Sequence, residues 1–401
     1  MLELIDCDEI QELPTLPTSL NNLQVSSKSL RVVPDLSNLT NLVTLDLSDG
    51  YCQSQGGKIC TGDLGGIGML SKLNKLDLKL LSVPAPSELA SLSQLKELHL
   101  SGLDLRTLAQ LPSSLLNLGL DNFNSTVSLS SKLENLSSLM LSSFQVQDIQ
   151  LDGLQLQNLT ALVLEGGESL QRFRLSNMRK LKIVWVENCP KLVEIQLAGV
   201  FESLVEFSIK QCKSLGWLVY AGEVGSANEL IIGEGRVILL SRVLNKLRFF
   251  TLSGCPKILQ IDVLGTSESW EHFVVWNCRY LQSVCGLSHL KKLKVLDIVL
   301  CAGLQVVEGL DELEFLNKIQ IGDCPSLERL IDVSTTKLPN DCRINICHGG
   351  KKGFFGSVQS FKNNKDEEAE RNKSGRRKAH GLGCISNRFL SLCGDSHRRA
   401  E

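Results

Sequence analysis

Histidine is scarce in this chain. Six are spread over 401 residues, and no Ser or Cys can be grouped with a His and an acid into a nucleophilic set. Catalysis is therefore not expected. Paired-cysteine zinc spacings are missing too. His380, Cys384, Cys393 and His397 run as H-x₃-C-x₈-C-x₃-H, which fits no familiar spacer, so they and Cys342, Cys347 and His348 read as scattered tail residues. GGKICTGDLGG invites comparison with a phosphate-binding loop, but Ile59 follows Gly57-Lys58 and Cys52 stands where the first glycine belongs. No cofactor is expected. No apolar run approaches a membrane span, and the opening MLELIDCDEIQEL is acidic where a secretory signal would be basic. Nucleic acid is not an expected partner of a chain whose formal net charge is −2. The charge is uneven, however. Residues 349–401 carry twelve Lys/Arg and six Asp/Glu, so the rest stands at about −8.

What the chain does have is a repeated phrase. Cys189, Cys212, Cys255, Cys278, Cys301 and Cys324 each close a segment of the form L-x-x-L-x-L-x-x-C, as in LKIVWVENC and LNKIQIGDC. Their spacings are 23, 43, 23, 23 and 23. The long interval reads as a double step, with Gly235 in the vacant slot. Cys7 closes a half-phrase, LELIDC, so the chain is expected to start inside a repeat, as a fragment or truncated form would. First leucines recur at Leu20, Leu42, Leu73, Leu95, Leu115, Leu136, Leu159, Leu181 and Leu204. Ala227, Leu247, Trp270, Leu293 and Leu316 continue the series. This is the leucine-rich repeat signature, with Cys in the slot often held by Asn. It predicts a solenoid over residues 1–348 of about fifteen coils, with a surface insertion at 50–70. A basic disordered tail is expected over 349–401.

The alternating leucines share one face of a short strand, and strands of successive coils pair in parallel. The fold class expected is the α/β horseshoe type. A period of 20–23 residues leaves no room for a long helix on the return side, so extended segments and 3₁₀ turns are expected there. The second inward stripe follows each Cys, as in CPKLVEI and CRYLQSV. The ladder cysteines (Cys7, Cys189, Cys212, Cys255, Cys278, Cys301 and Cys324) should point inward as free thiols that bond to the turn. That suits a reducing compartment. Five sequons begin at Asn38, Asn124, Asn135, Asn158 and Asn372, but three are NLT or NLS inside the phrase itself, which register explains equally well. The expected location is cytoplasmic. The basic run Lys373, Arg376, Arg377 and Lys378 leaves nuclear entry open, although a solvated tail accounts for it as well.

The central x of L-x-L-x-L faces solvent on the concave sheet. That column is polar at both ends and apolar in the middle. Trp185, Ile231 and Val274 lie in it, and Ile183, Phe249, Trp276, Val295 and Val299 in neighbouring positions. Exposed aromatic side chains on such a face mark a contact surface. These eight residues are the expected protein-binding site, with β-propensity as the competing reason for Val and Ile.

The phrase L-x-x-L-x-[IL]-x-x-C-P-x-L, with its 23-residue period, resembles the C-terminal repeats of plant intracellular immune receptors of the TIR–NB-ARC–LRR class. The stretch LPTLPTSLNNLQVSSKSLRVVPDLSNLTNLVTLDLSD is similar to their earlier repeats. The resemblance covers roughly residues 2–346. It implies recognition of a pathogen effector or host protein, and restraint of a nucleotide-binding domain in a full-length receptor. The family's NAD-cleaving and nucleotide-exchanging domains have no counterpart in this chain. Two other readings stay open: a substrate-recruiting adaptor of a ubiquitin ligase, and an extracellular receptor-like protein.

Overall fold

The computed structural model describes residues 1–49, 64–81, 83–105, 110–123, 133–221, 236–240, 243–310, 313–327 and 342–347. The tail expected over 349–401, and residues 50–63 of the insertion, lie outside them. Among the described residues the chain is a parallel β-solenoid of the leucine-rich repeat type. Fifteen strands form one long parallel sheet. It runs from Leu2–Leu4 through Asn22–Ser26 and Thr44–Ser48 to Arg343–Cys347, each strand pairing with that of the next coil. Alternation decides the faces. Leu139, Leu162, Val184, Phe207, Phe250, Phe273, Leu296 and Ile319 stack inward on successive rungs, all almost fully buried.

The return side is more ordered than the sequence suggested. Eight strands form a second parallel sheet: Asp148–Asp152, Arg172–Ser176, Glu194–Ala198, Trp217–Ala221, Arg236–Leu240, Gln260–Leu264, Ser283–Cys285 and Val306–Val307. The apolar stripe after each Cys alternates as a strand does, and neighbouring coils lie at pairing distance, so backbone groups that could have faced water bond to each other. Among the described residues the helical segments are short 3₁₀ turns: Ile67–Met69, Leu89–Ser91 and Leu287–His289.

The interval between Cys212 and Cys255 is not two coils. Glu206–Lys210 pairs directly with Phe249–Ser253, Ser208 opposite Thr251. No strand of the long sheet comes between them, so the rung expected there is missing; Ala227 itself lies outside the described residues. The chain instead makes one enlarged coil, whose return side carries two neighbouring strands of the second sheet, Trp217–Ala221 and Arg236–Leu240. A solenoid fixes each strand by its neighbours but leaves the return path free to lengthen.

Each strand of the phrase ends in a left-handed residue that turns the chain toward the Cys slot. Asn188, Gln211, Gly254, Asn277, Leu300 and Asp323 hold φ between 52° and 64°. Gly and Asn suit that conformation; Leu300 does not. Leu300→Gly should stabilise the protein by about 1 kcal/mol, the cost of a left-handed residue with a Cβ, measured as a shift in denaturant midpoint. No gain would mean that the side chain's own contacts offset the strain.

Cys189, Cys212, Cys255, Cys278, Cys301 and Cys324 are buried and free. Each thiol donates to the carbonyl two residues back at 3.3–3.7 Å. Burial pushes the Cys278 thiol up to about 11, against hydrogen bonds from the backbone N–H of Cys255 and Gly254. Cys255 is likewise raised by burial. A protonated, enclosed thiol is a poor nucleophile. All six should resist a thiol reagent in the native protein and react completely once it is unfolded without reductant. A bridge between any two would fail that count.

Candidate functional site

The outward side chains of the long sheet fall into three columns, one for each outward position of the five-residue strand. The central column reads Gln24, Asp46, Asp77, His99, Gly119, Met140, Val163, Trp185, Ser208, Thr251, Val274, Asp297 and Gln320 in unbroken register. Ile231, expected between Ser208 and Thr251, has no rung there. It lies outside the described residues.

The other expected site residues divide between columns. Trp185 and Val274 are central. Ile183, Phe249 and Val295 occupy the first column. Trp276 and Val299 face each other in the last. The rungs of Trp185 and Trp276 are three steps apart, not four, because the extra coil is absent. At strand spacing that is about 14 Å.

Trp185 is half-buried, its indole Nε1 donating to Glu206 Oε1 at 2.8 Å. Val163 and Ser208, on the rungs either side, are only 3% and 6% exposed although they point outward. The large ring shelters them. Phe249 stacks on His272 with centroids 4.9 Å apart, and Arg248 lies over the Phe249 ring at 5.3 Å. Arg248 and Lys294 both pair with Glu271, at 2.9 and 3.2 Å. Burial holds the His272 imidazole below its usual range. Trp276 differs from these: it is 46% exposed.

The last column explains why. It reads Ser26, Ser48, Lys79, Ser101, Asp121, Ser142, Glu165, Glu187, Lys210 and Ser253, then Trp276, Val299 and Gly322. The turn column beside it is polar or glycine from Asn188 to Asn277 and then offers Leu300, 38% exposed. The two columns are thus apolar together at one coil, that of Val299 and Leu300, with Trp276 on the coil before it. The sequence reading missed Leu300. The signal was there in the residues preceding the ladder cysteines: N, Q, G, N, L, D.

Charge is distributed along the face as well. Near the start, Asp77 Oδ1 lies 2.9 Å from His99 Nδ1, and Lys79 Nζ is 2.9 Å from Asp77 Oδ2. Burial pushes the Asp77 carboxyl up, but the bonds and charges of His99 and Lys79 outweigh it and hold the group below the usual range. Asp46, on the next rung, is raised by burial and then by Asp77. Further along, Asp121 accepts from Ser101 and Ser142 at 2.7 and 2.9 Å. Glu165 is raised by burial, then by the like charges of Glu187 and Asp121.

A carboxyl raised in the folded state binds more protons folded than unfolded, so its ionisation lowers stability as pH rises through the carboxylate range. Glu165→Gln should therefore stabilise the protein at neutral pH by a few tenths of a kcal/mol, since solvent screens a half-exposed group. The gain should vanish in acid. Denaturation at two pH values reads it, and an equal effect at both would assign the gain to packing.

Residues 168–302 match the family described as plant disease resistance protein RPS2-like, leucine-rich repeats. That segment holds both tryptophans of the outward face and the enlarged coil. Among solved structures the chain is similar to an internalin from Listeria monocytogenes, at 18% identity over 76% of each chain and a TM-score of 0.42. A leucine-rich repeat protein from Leptospira interrogans gives 18% identity over 78% of this chain and 76% of that one, also with a TM-score of 0.42. The plant peptide hormone receptor RGFR1 in complex with RGF2 shares 15% over 76% and 79%, with a TM-score of 0.23. Among the described residues no helix is long and apolar enough to cross a membrane.

Proposed function

We propose that this chain is the sensing and restraining portion of a plant intracellular immune receptor. The fold and the match to resistance-protein repeats support the coarser statement, a protein-binding leucine-rich repeat module. The match over residues 168–302 carries the finer one, since it coincides with the rungs that expose Trp185 and Trp276. In this reading the long sheet's outward face takes a pathogen effector or a host protein that such an effector alters. In the resting receptor part of the same solenoid holds a nucleotide-binding domain. The chain itself contributes contacts and no catalysis, and it acts in the cytoplasm.

The test is the transcript that encodes the chain. An in-frame nucleotide-binding domain upstream, which co-precipitates with the chain when the two are expressed separately, is the result expected. An F-box in that place would overturn the reading in favour of a ubiquitin-ligase adaptor.

Asn135 Nδ2 donates to Ser113 O at 2.9 Å, and Asn158 is bonded both to Glu134 O and to Lys180 Nζ at 2.6 Å. These two sequon asparagines already hold successive coils together, which gives register a structural use for them and weakens the case for a glycosylated extracellular protein.

A further inference from the structure

Asp297 is an acid of the outward face that burial raises and, among the described residues, no partner holds. It sits in the central column between Val274 and Gln320, with Val295 and Val299 on its own strand. On the diagonals stand His272, Trp276, Lys318 and Gly322. Those eight positions hold one fully charged cation, Lys318, which lies too far for an ion pair. Among the described residues the Asp297 carboxylate accepts no hydrogen bond. Asp77, Glu187 and Glu271 by contrast have a cationic or imidazole partner, Asp121 has hydroxyl donors, and Glu206 has the Trp185 indole N–H.

Around this carboxylate the surface is apolar and open. Trp276 is one rung away and one position along, the diagonal distance that long side chains bridge. Val299 and Leu300 extend the apolar edge beside it. At Gly322 the face has a step: a Cβ there would meet only Val299, at 3.5 Å, in ordinary contact. A half-buried carboxylate beside an exposed indole face is complementary to one chemistry, a flat cation with an apolar stem. The carboxylate pairs with its charge, and the ring stacks against its face.

We propose that Asp297, Trp276 and Val299 form a subsite for an arginine side chain of the protein ligand, its stem lying along Val299 toward Gly322. The inference rests on the protein-binding reading above and names part of what the ligand presents. Burial raises the Asp297 carboxyl, opposed by Lys318; an arriving guanidinium would reverse that shift. Leu300, 38% exposed in the turn that follows Val299, extends the apolar edge of the subsite.

The probe is a capped dipeptide, acetyl-Leu-Arg-amide, with the citrulline peptide as its uncharged counterpart. Four tryptophans give four indole N–H signals, assigned by substitution. The arginine peptide should shift the Trp276 signal saturably and leave the buried Trp270 unmoved. Citrulline, or the variant Asp297→Asn, should weaken the effect about tenfold or more, as loss of a desolvated charge pair does. An unmoved Trp276, or an equal response in Asp297→Asn, would overturn the subsite. The wider reading fails separately. A protein ligand that binds Asp297→Asn as tightly as wild type, but is lost with Trp185→Ala, keeps the binding face and removes only the arginine site.

Discussion

Replacing Trp270 by alanine should destabilise the solenoid by about 3–5 kcal/mol, the range for removing a large buried aromatic. The slot normally holds the first leucine of the phrase: Leu181, Leu204, Leu247, Leu293 and Leu316 are all buried there. In this coil an indole replaces it and is completely enclosed. Its ring lies 5.9 Å from Phe250 and 6.4 Å from Phe273, so three aromatics from two coils pack as one cluster. The indole Nε1 also donates to Leu244 O at 3.2 Å. Alanine would leave a cavity that flanking coils cannot close, while the Leu244 carbonyl would keep its second donor, the Leu247 N–H at 3.0 Å. Trp270→Leu restores the phrase and should cost less, showing how much the cluster exceeds the consensus. Leu247→Ala, one coil back, should cost about 2–5 kcal/mol. Because coils stabilise one another through neighbours, the loss should be local. Hydrogen exchange should rise first between the coils of Phe249–Ser253 and Val295–Val299. A uniform rise along the chain, or a change below 1 kcal/mol, would mean that Trp270 is not a core element.

The same slot shows what could be read without coordinates. Position 270 follows the repeat even though no leucine stands there, because the phrase around it, ending at Cys278, fixes its face. Strand alternation is a strong constraint: one residue of slip would turn Phe273 and Val275 to solvent. That is why the long sheet, its inward stack and the cysteine positions were legible. Two features were not. The second sheet depends on neighbouring coils meeting on their return side, and a single coil's sequence shows only extended apolar residues there. The interval of 43 residues imitates two repeats by length, and NELIIGEG imitates the phrase. Only the pairing of Ser208 with Thr251 separates one enlarged coil from two ordinary ones. The candidate site inherited that error in the distance between its tryptophans, while the faces of Trp185 and Trp276 did not depend on it.

Those two tryptophans carry the second large expected effect, and the structure separates them. Trp276→Ala should weaken ligand binding by about 2 kcal/mol or more, as truncation of a central interface aromatic does. It should move the unfolding midpoint by less than about 0.5 kcal/mol, because the side chain is half exposed and no hydrogen bond of the indole is lost. Trp185→Ala should weaken binding comparably but should also cost roughly 1 kcal/mol in stability. It removes the bond to Glu206 and uncovers Val163 and Ser208, which the ring shelters. The comparison is made on one protein ligand, with binding by calorimetry and stability by denaturation for each variant. If Trp276→Ala unfolds the protein as Leu247→Ala does, the residue belongs to the core and the outward face is misassigned. If both tryptophan variants fold normally and bind as wild type does, the ligand engages another part of the solenoid, and the apolar turn at these coils has some use other than contact.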